Sequence, residues 1–553
     1  MGAKRLIKTG DNLSPDTPGG LAVARWFFLL LVALAVPSFP ALFARGQESG
    51  HTLGSYSLLW LILLSGAIVL ALVEIGLLVL LCTRASQRLA IFTQSLCGRL
   101  AKLGWLNGLG IGAVWAGFVL VVLWRYQKHF ADFAPQVWLF WLVAGVGALF
   151  LAAWKKIPFG WALLPVAIFY AAGIQALGYL PDISSYPFSL SWSESSRYYY
   201  ASLPYSRWLY GFQIPLSSLH PTRYLLQSIA FWAPGAGIWF HRFWQVTLWL
   251  SLNLLAGLVL ARRFKLGSRT AVLALLVWSA LFLLQGPVYY HLLVCVILVL
   301  IGFDRKHFWK TLMFVLLASA WAGISRVNWM PVPAMLAAVL YLLEVPVCAD
   351  AAPGRGWLAN WLRYLWPPLV WGISGGLAAL ASQAAYVLVS GHESASDFGT
   401  SFSSALLWYR LFPSQTFPLG VIPATVLVSA PLLTLIGVNW LRARIYWHPL
   451  RILGLSGMAL ILLAGGLVVS AKIGGGSNIH NMDAFLVLLL VIGASIGAGS
   501  FASETGGQAR VWRPWLLLLV IVVVPVIWNL DIGNPFVNRN FKQAHYDLDK
   551  LNA

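Results

Sequence analysis

Two carboxylates, Asp182 and Glu194, stand in a segment otherwise rich in serine and tyrosine, within a chain that holds only 17 acidic residues. A carboxylate at a membrane surface can take the proton of a sugar or lipid hydroxyl and turn that oxygen into a nucleophile. Each also has a structural reading. Asp182 follows Pro181, where turns and caps favour Asp. Glu194 stands three residues before Arg197, the spacing of an ion pair on one helix face. Tyr198, Tyr199 and Tyr200 come next, suited to an interfacial aromatic belt or to contact with substrate. Beyond them lie His220-Pro221-Thr222-Arg223-Tyr224 and His241-Arg242-Phe243. The guanidinium groups of Arg223 and Arg242 offer a rigid fork matched to phosphate oxygens. Their stems can equally snorkel so that the charge meets lipid headgroups.

Two later segments add to this set. In Ser325-Arg326-Val327-Asn328-Trp329, Arg326 stands at the end of an apolar run, a costly place for a cation without a polar cavity or partner. Asn328 is a candidate substrate contact beside it. The other segment runs from Lys472 to Asp483. Gly474, Gly475 and Gly476 let backbone amides approach an anion. Lys472, Asn478, His480 and Asn481 crowd polar groups beside them, and a helix beginning at Asp483 would add its N-terminus. A flexible hairpin capped by Asp483 is the plain alternative. One His and one Asp are few ligands for a divalent metal, which stays possible as a cofactor without being required. The chain has no GxxxxGK[ST] phosphate loop and so no sign of ATP hydrolysis.

The elements that must position these residues are membrane spans. The composition is 59% hydrophobic and 10% charged, far too apolar for a soluble chain of 553 residues. Apolar runs of roughly 17–25 residues, about fifteen in number, recur from 26 to 530, each able to cross about 30 Å of hydrocarbon. The predicted fold is all-α: a polytopic transmembrane helical bundle with short interfacial helices in its outer loops. A net charge of +20 belongs here to cytoplasmic loops rather than to nucleic-acid binding. The Lys and Arg clusters at 4–25, 84–102, 155–156, 262–269, 305–310, 442–451 and 510–513 fall on one side of a single alternating path. That path gives a multi-pass inner-membrane protein with a cytoplasmic N-terminus, and it puts 181–224, 325–329, 391–416, 472–482 and 531–553 outside. The first apolar run is long enough to stay as a span, so no cleaved signal is expected. Cys82, Cys97, Cys295 and Cys348 form no CxxC pair, and neither a disulfide nor a zinc site is expected. Gly108, Gly110 and Gly112 lie in an apolar run and suit close helix packing.

The outer segments resemble the GT-C superfamily of integral-membrane glycosyltransferases, nearest the group of protein O-mannosyltransferases and the aminoarabinose transferase. Ser193-Glu194-Ser195-Ser196-Arg197-Tyr198-Tyr199 stands where that group carries an acidic pair followed by tyrosines. His220-Pro221-Thr222-Arg223-Tyr224-Leu225 stands for its HPPxxYxL-like stretch, and His241-Arg242-Phe243 for its aromatic-Arg segment. Ser193 replaces the first acid, which leaves the base to Glu194 or to Asp182. The resemblance implies a GT-C-like catalytic module at 161–345, preceded by a four-span extension at 1–160. A C-terminal transmembrane region at 346–553 follows, with the glycine-rich loop 472–483. It implies transfer of a sugar from a polyprenyl-phosphate donor at the outer face to an unidentified acceptor, with membrane lipids as neighbours. In that reading Arg326, Lys472, Arg223, Arg242 and the three glycines meet the donor phosphate. Tyr198, Tyr199, His220, Asn328, Asn478, His480, Asn481 and Asp483 contact substrate. The rival expectation is a transporter or flippase of a lipid-linked glycan. The few carboxylates in spans, Glu74 and Glu344, make a proton relay the poorer fit.

Overall fold

The computed structural model describes residues 18–47, 49, 55–191, 193–347, 357–392, 405–442, 447–472, 478–504, 511, 513–531 and 535–552. Among them every regular element is helical. Eleven helices are long and apolar enough to cross a membrane, from Leu21–Gln47 to His480–Ala498. Four shorter apolar helices, Arg269–Gln285, Tyr290–Gly302, Phe308–Gly323 and Trp515–Trp528, occupy the other positions where spans were expected. The chain is a multi-pass, all-helical membrane protein. Exposure supports this reading. In Leu58–Cys82 and Ala359–Val389 only 17% and 11% of the most apolar window is buried. Surface of that kind belongs against hydrocarbon, since water would not tolerate it over such lengths.

The described chain divides into two compact units. One comprises Met1–Gly178 with Val526–Val537, the other Tyr179–Pro525 with Asn538–Ala553. The dividing point, at Gly178, falls after the helix Phe159–Gly178, which the sequence reading placed at the head of the catalytic module. In the first unit, Glu74 is buried and accepts from the indole N–H of Trp138 at 3.0 Å, tethering two helices. Gly108 and Gly110 face the rings of Trp154 and Phe150 at contact distance, as close packing requires, while Gly112 has open space around it.

In the second unit the helix Asp483–Ala498 is buried along nearly its whole length and is apolar on every face. It packs against Arg269–Gln285, Val332–Glu344, Val421–Arg442 and Pro449–Lys472. Its first residue is therefore held from all sides. Val332–Glu344 runs beside it and collects cations at its C-terminal end. Arg263 pairs with Glu344 at 2.6 Å, Arg305 donates to the Glu344 carbonyl, and the buried Arg451 donates to the carbonyls of Leu342 and Leu343. Cations there satisfy orphan carbonyls and the negative end of the helix dipole. Three basic residues that the alternating path assigns to one side thus meet at one end of one helix, and Arg326 lies before its other end.

Among the described residues between Tyr179 and Ile238 the chain forms only short helices and turns, including Leu180–Asp182, Glu194–Ser202 and Pro221–Ser228. Three non-glycine residues among those described have positive φ: Lys156, Ser193 and His220. Ser193 opens the helix of Glu194, and His220 precedes Pro221, where the right-handed helical region is disfavoured. Left-handed backbone at such residues costs about 1 kcal/mol each and collects at functional sites.

Candidate functional site

Helix starts and short turns of the second unit enclose a cavity of about 270 Å³. Asp182, Glu194, Arg197, Tyr198, Arg242, Gln245, Trp249, Tyr289, Asn478 and His480 are among the residues in its wall. The two candidate carboxylates differ sharply within it. Glu194 is 5% exposed and both of its oxygens are taken. Arg242 donates from Nε to Oε1 at 2.9 Å and from Nη2 to Oε2 at 3.1 Å. The backbone N–H of Leu190 also donates to Oε2. Burial alone would raise the Glu194 carboxyl, but the Arg242 and Leu190 hydrogen bonds outweigh it and hold the group below its ordinary value. Asp182 ends the turn Leu180–Asp182, is exposed to the cavity, and its carboxylate takes no hydrogen bond or ion pair from a described residue.

Arg242 has no donor left for a phosphate. Besides Glu194 it reaches the carbonyls of Ser184 at 2.6 Å, Tyr186 at 2.7 Å and Phe188 at 3.0 Å. Its five N–H bonds are spent on shaping the loop between the two carboxylates, so the anion-binding role expected of it gives way to a structural one. The expected Glu194–Arg197 pair does not form either. Arg197 turns to Ser191 Oγ at 2.6 Å and lines the cavity. Burial first, then the charge of Arg223, push Arg197 below its usual value. A guanidinium stays protonated, so the shift marks a buried cation crowded by a second one, which Tyr198 and Glu194 offset only in part.

Tyr289, which the sequence reading passed over inside an apolar run, is the hub of the remaining contacts. Arg223 lies 4.9 Å and Arg326 5.9 Å from its ring centroid. The rings of His220, His291, His480 and Trp249 surround it at 5.7–6.0 Å. Arg223 is buried, and its Nε has no hydrogen-bond partner. Its helix Pro221–Ser228 is fixed by Thr222 against Ser325 at 2.6 Å and by Leu226 under Trp244 at 2.9 Å. Arg326 bridges to Asp483 at 3.3 Å and Asn481 at 2.9 Å, which joins the end of one helix to the start of the buried one. His220 Nδ1 is buried without a partner. Burial, then the charges of Arg326, Arg223 and His480, hold its imidazole well below the usual value and hence neutral. Tyr198 also has a buried hydroxyl without a partner, and burial followed by Glu194 raises its phenol.

The other candidates are placed as follows. Asn478 and His480 line the cavity, with the Asn478 side-chain oxygen accepting from the His480 backbone N–H at 2.9 Å. Asn481 and Asp483 serve Arg326 rather than the cavity wall. Tyr199 is exposed and packs on Tyr200 and Tyr210. Asn328 is half-buried in the turn Val327–Trp329, off the cavity wall. Lys472 is the last residue of Pro449–Lys472 and does not line the cavity. Gly474, Gly475 and Gly476 lie outside the described residues. Among the described residues no three His, Cys, Asp or Glu side chains gather as a metal-binding group. Sequence reasoning missed Tyr289, Gln245, Trp249 and His291. The stretch Gln285-Gly286-Pro287-Val288-Tyr289-Tyr290-His291 interrupts two apolar runs, and that interruption was the available signal.

No protein-family model, curated protein or solved structure matches this chain.

Proposed function

We propose that this chain is a membrane glycosyltransferase of GT-C-like architecture, with about fifteen spans and a cytoplasmic N-terminus. It moves a sugar from a polyprenyl-phosphate donor to an acceptor hydroxyl on the non-cytoplasmic side of the inner membrane. The observation that carries this reading is the position of Tyr289. It shares one cavity wall with the unpaired Asp182, while Arg223 and Arg326 both lie over its ring. A general base and a cationic anion site thus adjoin a space lined by tyrosines, a tryptophan and amides, the groups that suit a sugar.

In this mechanism Asp182, rather than Glu194, takes the acceptor proton. The acceptor oxygen bonds to the anomeric carbon as the bond from that carbon to the phosphate oxygen breaks. The electron pair leaves with the lipid phosphate, and a single displacement inverts the anomeric centre. Negative charge grows on the phosphate, where Arg223 and Arg326 are already ordered. Arg223 Nε, buried without a partner, gains one in that state, which relieves a penalty of about 1–3 kcal/mol. Tyr289 and Trp249 pack on the sugar, and Gln245 and Asn478 bond its hydroxyls.

The test uses the full-length protein in nanodiscs with a panel of radiolabelled undecaprenyl-phosphate monosaccharides. Asp182→Asn should lower transfer by about 100-fold or more, the usual scale of a general base, with donor binding little changed. Normal transfer by Asp182→Asn would remove the base from this reading. Donor lipid crossing the bilayer with no sugar transfer would make the chain a carrier.

A further inference from the structure

The C-terminal residues Asn538–Ala553 belong to the same compact unit as the cavity. They reach the loop that carries Asp182. Arg539 donates from Nη1 to the carbonyl of Pro181 at 2.6 Å, across 358 residues of chain. That carbonyl belongs to the peptide bond leading into Asp182. Two residues on, Phe541 sets its ring edge-on to Tyr186 at 5.7 Å. The helix Phe541–Asn552 is fixed where it begins. Asn540 Oδ1 accepts from the Gln543 N–H at 3.0 Å, an N-cap, and Ala544 is buried. An anchored helix therefore delivers the guanidinium.

We propose that Arg539 is a positioning residue for Asp182, gripping the backbone just before it and standing as a cation beside its carboxylate. This rests on the reading of Asp182 as the base. The loop then hangs between two arginines. Arg539 holds it at Pro181, and Arg242 holds it at Ser184, Tyr186 and Phe188. Asp182 lies between the two grips, on a stretch with few hydrogen bonds of its own. Its N–H reaches the Tyr179 carbonyl, and that of Ile183 reaches Leu180. The charged groups acting on Asp182 are Glu194, Arg539, Arg197 and Arg242. Tyr179, Tyr198 and His480 line the same cavity. Arg242 is committed to Glu194, whereas neither Arg197 nor Arg539 forms a salt bridge with a described carboxylate, and of these two it is Arg539 that grips the carbonyl just before Asp182. A base held in this way keeps its direction toward the acceptor, and the Arg539 charge counters part of the upward push that burial and Glu194 exert on its carboxyl.

The experiment compares Arg539→Ala, Arg539→Gln and Arg539→Lys in the full-length protein in nanodiscs. Hydrogen exchange over residues 180–191 needs no substrate. It should speed up about tenfold in Arg539→Ala, where the local opening is no longer opposed by the grip. With undecaprenyl-phosphate monosaccharides, Arg539→Ala should lower kcat about tenfold with donor KM little changed. Its acidic limb, and that of Arg539→Gln, should move up by about half to one pH unit, because loss of a nearby cation disfavours the carboxylate. Arg539→Lys keeps the charge and should keep the limb in place. Unchanged exchange together with an unchanged limb in Arg539→Ala and Arg539→Gln would overturn the inference. Asp182→Asn separates the two failures. If it is inactive while the Arg539 variants behave as wild type, the positioning role falls and the base stands. If it is active, the base falls, and the exchange measurement alone still decides whether Arg539 holds the loop.

Discussion

Glu194→Gln is the substitution on which sequence and structure part company most usefully. From the residues alone, it removes a general base and should lower transfer by about 100-fold. The structure makes it a different perturbation. The side chains of Glu194 and Arg242 are both buried and share two hydrogen bonds, and Arg242 spends its other donors on three carbonyls. Removing the charge of one partner leaves a buried guanidinium without its counter-ion, which costs about 3–5 kcal/mol when the partner is lost outright. Glutamine keeps one acceptor oxygen, so the expected loss is at the lower end of that range, about 3 kcal/mol. Arg242→Met should cost about as much or more, and the double variant should cost less than the sum, as for groups in one network. The linkage with pH follows from the lowered Glu194 carboxyl. A group depressed on folding contributes stability above its unfolded value, near 4.3, and loses it as pH falls through the folded value. Wild type should therefore lose thermal stability below about pH 4.5, and Glu194→Gln should lose less over that window. The assay is thermal unfolding in nanodiscs from pH 3 to 8, paired with transfer per folded molecule near pH 7. Unaltered unfolding with a 100-fold loss of transfer, beside a normal Asp182→Asn, would refute the argument and return the base to Glu194.

The remaining expectations concern the cationic wall and the topology. Arg223→Ala and Arg326→Ala should each slow the chemical step more than they weaken donor binding, because charge grows as the bond to phosphate breaks; full additivity in the double variant would assign them to separate sites. Tyr289→Phe keeps the ring under both guanidiniums and should keep most activity, whereas Tyr289→Ala loses cation–π contacts worth about 0.5–2 kcal/mol each and should lower transfer at least tenfold. Equal activity of the two would show that the ring does not organise the arginines. Reporter fusions near residues 265 and 186 should report opposite sides of the membrane, and a shared side would break the alternating path on which the outer location of the cavity depends.

Apolar length is a local property, and it was enough to place the apolar helices. Hydrocarbon thickness sets the length of a span whatever it packs against, and each expected apolar run coincides with a helix. The candidate polar residues were legible for the same reason, since Asp182, Glu194, Arg326 and His480 stand out against an apolar background. Their partners were not. Glu194 and Arg242 lie 48 residues apart, Arg326 and Asp483 157, and Arg539 and Pro181 358. Nothing in the spacing of either carboxylate says which of them a distant guanidinium will claim. Once folded, Arg242 claims Glu194 and leaves Asp182 open. Tyr289 stayed hidden because a tyrosine at the edge of an apolar run looks like an interfacial anchor until Arg223 and Arg326 are seen above its ring. Burial and electrostatic pairing depend on three-dimensional neighbours. The tertiary structure alone therefore decided which acid is buried in an ion pair and which lines the cavity without one.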